Sequence, residues 1–279
     1  NFYGTFHIPS QLKQWPSISG LGSNGSFVGE VEIPQGIKEI NGLGVSFKKR
    51  LALTLPAGVK KISGLGNQYS SFVFNDDLEE IGYDCFRGAS MPFQISLPSQ
   101  LRKIGANAFL WTNIEGELVI PENCLEIGGS AFAGANLTKI TLPSKLELVL
   151  EGTFSGNMYT TVTIPKYVSY IGRDAFSCEY LQTVVCLAET PPNVQEGDPF
   201  GKVFKDKCVL EVPEKSVELY RNTPVWNTFK NITPHRELAF NVPSITCLEK
   251  GTTRTGIVRS EGAWEITECP SWVTVSPSS

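Results

Sequence analysis

Two histidines, His7 and His235, are the only side chains in this 279-residue chain that titrate near neutral pH in their ordinary state. A Ser/His/Asp or Cys/His centre would need one of them beside a nucleophile, with a third group holding the imidazole. They fall at opposite ends of the chain, His7 before the first clear repeat and His235 in a linker. Both therefore read as noncatalytic. The seven cysteines are an odd number, so at least one stays unpaired within the chain. The absence of CxxC removes thioredoxin-like redox chemistry and the commonest zinc spacings. Cys186 with Cys208 and Cys247 with Cys269 could each close a disulfide in an exported chain. Spacing does not establish the Cβ geometry, so bridge and free thiol both stand at this point. The acidic stretch Asp76-Asp77-Leu78-Glu79-Glu80 and the loop Gln195-Glu-Gly-Asp198 could in principle supply oxygens to calcium. A buried Leu78 would splay its neighbours outward, which makes a solvated turn the reading. GxxxxGK, HExxH and GxSxG are missing, and nothing places two carboxylates in one cleft for glycoside hydrolysis. No catalytic residue, cofactor or metal is expected.

Composition narrows the partners. Net charge is −4 and charged residues make up 19%. Lys48-Lys49-Arg50 is the only basic run and reads as a solvated loop, so no nucleic-acid footprint is present. No segment approaches the ~20 apolar residues of a membrane span. The chain starts at Asn1 without a charged n-region or apolar h-region. It reads as a mature or trimmed chain, with any membrane anchor or targeting signal outside it.

A phrase recurring about every 22 residues is what must position any functional group. Its isoleucine slot is filled by Ile18, Ile40, Ile62, Ile81, Ile104, Ile127, Val149 and Ile171, at steps of 22, 22, 19, 23, 23, 22 and 22. A fixed period of this length is the mark of a solenoid, each turn burying its apolar face against its neighbours. Before a recurrent proline (Pro34, Pro56, Pro98, Pro121, Pro143, Pro165, with Asn75 in the same slot) residues alternate as in Leu53-Thr54-Leu55, Ile95-Ser96-Leu97 and Val162-Thr163-Ile164. Period-two alternation predicts a short strand with one buried face, ended by a proline that has no N–H for the ladder. Three residues on comes a second apolar slot, filled for example by Val59, Leu78, Leu101 and Cys124. After the isoleucine, Gly82, Gly105, Gly128 and Gly172 are expected to supply positive φ in a tight turn. A small residue then precedes Phe86, Phe109, Phe132, Phe154 and Phe176, predicted to stack as one inner ladder. Cys85 stands in that small slot, so it and Cys124 read as core substitutions. The early turns replace this half with Ile-x-Gly-Leu-Gly at Ile18, Ile40 and Ile62.

The pattern over residues 8 to 185 resembles the BspA-like leucine-rich repeat family of bacterial surface proteins. The resemblance implies a mainly β fold with little helix: a right-handed leucine-rich repeat solenoid of about eight turns, strands lining one face. It also implies an exported protein with an adhesive role. Residues 186–234 break the period, with one strand ending at Pro213 and helical spacing over 214–221, and resemble the family's closing module. A solenoid's last turn exposes an apolar end that such a module would cap. Residues 235–279 alternate in β fashion, and the ending Trp264 to Pro277 resembles the first half of a BACON-type immunoglobulin-like module. That second resemblance implies carbohydrate or mucin association in gut Bacteroidetes.

Alternation also predicts the exposed face. Outward strand positions are Glu30 and Glu32, Ala52 and Thr54, Ser71 and Val73, Gln94 and Ser96. They continue with Glu117 and Val119, Lys139 and Thr141, and Thr161 and Thr163. The face is polar, mixed in sign and without aromatic anchors. Trp111 stands where other repeats have Gly or Cys and should protrude from the ridge, either as a sugar platform or packed over an adjacent turn. Together these features predict a noncatalytic, secreted or cell-surface binding protein, anchored as a lipoprotein or released, whose partner is a host or bacterial surface protein or glycan. A structural spacer projecting another domain is the alternative, and a carbohydrate-active enzyme is disfavoured.

Overall fold

The computed structural model describes residues 31–42, 50–66, 68–194 and 197–235. It also describes the backbone of short strands at 2–3, 6–7, 26–28, 46–47, 239–240 and 258–259; the side chains of 31 and 32 lie outside the description. Two compact units result, 1–234 and 235–279.

A phrase that returns every 22 or so residues brings like residues together at the strand spacing of about 4.8 Å. The rest of each turn supplies the dozen or more residues that a parallel crossover needs. In register, Ile40 pairs with Ile62, Ile62 with Ile81, Ile81 with Ile104, and Ile104 with Ile127. Val149 pairs separately with Ile171. The pre-proline segments form the second face. Leu51–Thr54 pairs with Tyr69–Val73, and Glu117–Val119 with Lys139–Thr141. Thr161–Ile164 then heads a four-stranded run through Thr183–Cys186, Val209–Val212 and Asn231–Pro234. All of these pairs are parallel, and the five-residue Val217–Arg221 is the α-helix among the described residues. Where the proline slot holds Asn75, its amide donates to the Pro56 and Val59 carbonyls and so ties the turn to the one before.

The third corner of each turn carries the aromatic ladder. Phe86, Phe109, Phe132, Phe154 and Phe176 each donate a backbone N–H to the next turn, at 2.7–2.9 Å. Their rings stack with centroids 5.1, 5.0, 5.8 and 5.7 Å apart and planes within 21°. The ladder runs past residue 185. Phe200, in the segment expected to break the period, lies 6.0 Å from Phe176 with planes 17° apart. The Phe176 N–H reaches Pro199, so residues 187–208 form one more turn with a longer loop. Trp226 and Phe229 then meet Phe200 edge-on at 5.6 and 5.3 Å. Trp226 Nε1 donates to the Pro192 carbonyl and the Tyr220 hydroxyl to the Ala188 carbonyl, at 3.1 and 2.8 Å.

The glycines after the isoleucine slot do a different job from the one expected. Gly82, Gly105, Gly128 and Gly172 are absent from the positive-φ positions. They are glycine because successive turns touch there: an added Cβ would lie 2.5 Å from Tyr83 N at Gly105, 2.2 Å from Ala106 N at Gly128 and 2.5 Å from Glu151 N at Gly172. Positive φ falls two residues later, at Asp84, Asn107, Ser130, Gly152 and Asp174, with φ between 50° and 64°. Leu150 occupies the close-approach slot, and there the isoleucine ladder is interrupted between Ile127 and Val149.

In the second unit, Ala239–Phe240 pairs antiparallel with Val258–Arg259. The immunoglobulin-like reading of 235–279 otherwise lies outside the described residues, as do Cys247, Cys269 and the repeat at Ile18.

Candidate functional site

The pre-proline strands present the predicted face. Thr54, Gln94, Ser96, Glu117, Lys139, Thr141, Thr161 and Thr163 are all exposed, alternating with buried Leu53, Ile95, Leu118, Ile140 and Val162. Glu30 and the side chain of Glu32 lie outside the described residues. Glu117 and Lys139 pair across adjacent strands at 3.0 Å.

One turn departs from the expectation. Ile95-Ser96-Leu97 alternates as a strand should but forms none. Among the described residues none hydrogen-bonds to Ile95, Ser96 or Leu97. The segment is held at its ends, where Glu115 N donates to the Phe93 carbonyl at 3.2 Å and Asn123 Nδ2 to the Ser99 carbonyl at 2.9 Å. Between these points Gln94 Nε2 reaches the Glu117 carbonyl at 3.5 Å, and beyond that side-chain contact the face opens into a groove of about 460 Å³. Gln94, Ser96, Ser99 and Glu117 supply its polar lining; Ile95, Leu97, Val119 and Pro121 supply the apolar part. Four of these eight residues, Gln94, Ser96, Glu117 and Val119, belong to the predicted face.

Trp111 does protrude, 66% exposed, at a φ of 57°. It also spans its neighbours. The Arg87 guanidinium lies 5.6 Å from the ring centroid, and an added Cβ on Gly134 would touch Cδ1 at 3.0 Å. It does not line the groove. Sequence reasoning missed a second exposed row, Met158, Tyr180 and Phe204, each four residues after a stacked phenylalanine. The signal was available, since these large apolar residues follow the ladder at constant offset.

The remaining chemical candidates are tied up structurally. Glu79 meets Lys60 at 2.5 Å, Glu80 meets Lys61 at 3.1 Å, and Asp77 Oδ2 accepts from Gly58 N at 2.8 Å. The Lys60 hydrogen bond holds the Glu79 carboxyl below its usual range. Asp198 accepts from Phe200 N and pairs with Lys205. Among the described residues no three His, Cys, Asp or Glu converge as metal ligands. Cys85, Cys124, Cys178, Cys186 and Cys208 are free and buried, so no Cys186–Cys208 disulfide forms. Cys186 Sγ instead lies 3.2 Å from the Tyr220 hydroxyl. The His7 side chain lies outside the described residues. The run Gly20-Leu-Gly-Ser-Asn-Gly25 has the spacing of a phosphate-binding loop but lies outside them too. It closes the same Ile-Ser-Gly-Leu-Gly phrase as Ile62–Gly66, where a strand is followed by no helix.

The sequence pattern of the BspA-type leucine-rich repeat region matches residues 23–122 and 102–196, in six copies. The chain belongs to the BspA-type leucine-rich repeat family. No curated protein matches it. Among solved structures it is similar to a leucine-rich repeat protein from Bacteroides ovatus ATCC 8483, at 17% identity and a TM-score of 0.33, covering 74% of this chain. The chain spans 62% of that protein's length. It is also similar to a leucine rich cell surface protein from Faecalibacterium prausnitzii A2-165, at 15% identity and a TM-score of 0.28, over 83% of this chain and 79% of that one.

The buried thiols give this BspA-type solenoid an alkaline limit. Burial pushes Cys124 up to about 12 and Cys186 and Cys208 up to about 11, and raises Cys85 further. In the unfolded chain these thiols return to their ordinary value of 9.0. Above that pH the unfolded state sheds protons that the folded state keeps. Stability is therefore present in full below pH 9 and lost as pH rises through the folded values. Each thiol then costs up to about 1.4 kcal/mol per pH unit. Calorimetric scans should show a constant melting temperature from pH 7 to 8.5 and a steep fall above 9; a melting temperature unchanged at pH 11 would contradict this.

Proposed function

We propose that the chain is a noncatalytic, exported surface protein that binds a protein or glycan partner through the face of its pre-proline strands, with the residues after the added turn, 209–234, acting as the end cap of the solenoid. The observation that carries this reading is the face itself. Small, exposed polar side chains recur at equivalent positions of parallel strand pairs, while the reactive residue types among the described residues are mostly buried or paired. Membership in the BspA-type family supports a surface role. Flat repeat faces suit extended partners, because successive turns offer equivalent positions at strand spacing.

Arrays of matrix proteins, mucins and glycans probed with the whole chain test it. Binding is expected, reduced at least tenfold by the pair Thr141→Arg and Thr163→Arg and unchanged by Lys60→Ala in an inter-turn ion pair elsewhere. If the chain binds no array component, the binding role falls and the spacer alternative takes its place.

A further inference from the structure

We infer that the groove between residues 94–97 and the Glu117–Val119 strand receives an extended peptide segment of a partner protein, carrying lysine or arginine, through main-chain hydrogen bonds. The inference rests on the strand face being the binding surface. This face is also interrupted between Lys139–Thr141 and Thr161–Ile164, but those segments are strands paired on their other edges, whereas Ile95, Ser96 and Leu97 have no hydrogen-bond partner among the described residues. Glu117–Val119 is paired with Lys139–Thr141 and with no other strand. Unpaired, alternating backbone is the element an added strand completes: main-chain bonds provide affinity and alternate side chains provide selectivity.

Size and charge narrow the occupant. From Glu117 to Pro121 is four residue steps, about 13 Å of strand, enough for about four peptide residues. The groove, about 460 Å³, is lined by one carboxylate, Glu117, and by no cation. Lys139 meets that carboxylate from the next strand, but both side chains are more than half exposed, so the pair can exchange for a ligand cation. No aromatic ring lines the groove to stack on a sugar, and an acidic ligand would face Glu117 directly. Ile95, Leu97, Val119 and Pro121 suit the apolar stems of a peptide.

The test uses the whole chain and a positional-scanning library of capped octapeptides, read by amide chemical shifts and calorimetry. Lysine- or arginine-bearing members should shift the amides of Ile95, Ser96 and Val119. N-methylation at alternate residues of the best member should weaken it about tenfold or more, as losing two main-chain hydrogen bonds would. Lysine-to-norleucine replacement in the peptide should weaken binding to the wild type but not to Glu117→Gln. Equal binding of the N-methylated peptide, shifts elsewhere, or no shift with any member at millimolar concentration overturns the assignment. Ser96→Trp, which fills the groove from an exposed position, separates the two readings. Array binding that survives Ser96→Trp, with no peptide bound even by the wild type, removes the peptide groove and leaves the face. Absence of every binding signal from the unaltered chain removes both.

Discussion

Phe132→Ala lowers the melting temperature of the repeat unit by roughly 10–15 °C, the shift expected from a core loss of about 3–5 kcal/mol in a unit of this size. Phe132 sits in the middle of the ladder, with Phe109 at 5.0 Å and 7° on one face and Phe154 at 5.8 Å and 9° on the other. It is fully buried, and its small neighbours Ala131 and Ala135 are buried too. Truncation leaves a ring-sized hole between two rings, each anchored by its own backbone bond to the next turn, Phe109 N to Ala131 and Phe154 N to Ala175. Neither can slide in to fill it. A solenoid turn is stabilised only by its neighbours, so one hole weakens two interfaces. Phe132→Leu, which keeps most of the volume, should lose less than half as much. Circular dichroism melts of both variants measure this. A shift below about 3 °C for Phe132→Ala, under 1 kcal/mol in a unit of this size, would show that the stack fills space without contributing stability.

That ladder was legible because period and side-chain type agree: a phenylalanine returned at every turn must meet its copy. The in-register isoleucines follow from the same logic. Phe200 escaped because the insertion before it shifts the spacing, although the strand at Val209–Val212 marks where the turn ends. The groove escaped for a different reason. Gln94-Ile95-Ser96-Leu97 has a perfect strand alternation, which reports burial and says nothing about whether a neighbour supplies hydrogen bonds. Trp111 was legible as a protrusion, but its contacts depend on Arg87 and Gly134 from adjacent turns, which a single repeat does not reveal.

The glycines show where one residue type answers to two physical demands. Glycine serves positive φ and it serves close approach, and the letter does not say which. The structure separates them at two consecutive residues, Gly128 and Gly129. A Cβ on Gly128 would lie 2.2 Å from Ala106 N and 2.6 Å from both Ala106 Cα and Gly105 C, whereas on Gly129 the nearest atom is Glu151 O at 3.2 Å. Backbone cannot rotate away as a side chain can, so the turns must part. Gly128 N also donates to the Ile104 carbonyl at 2.8 Å, and separation breaks that bond. Gly128→Ala should therefore destabilise by about 3 kcal/mol, the upper range for overpacking, and Gly129→Ala by under about 1 kcal/mol. Chemical denaturation of the two variants side by side checks the contrast, and equal losses would refute close approach as the reason for the glycine. The chain already holds a natural case. Leu150 stands in the Gly128 slot one turn on, and there the isoleucine ladder breaks into two sheets. Leu150→Gly should then let Val149 pair with Ile127, seen as slowed amide exchange at residue 150. One continuous isoleucine ladder in that variant would show that a single side chain sets the interruption; unchanged exchange at residue 150 would show that it does not.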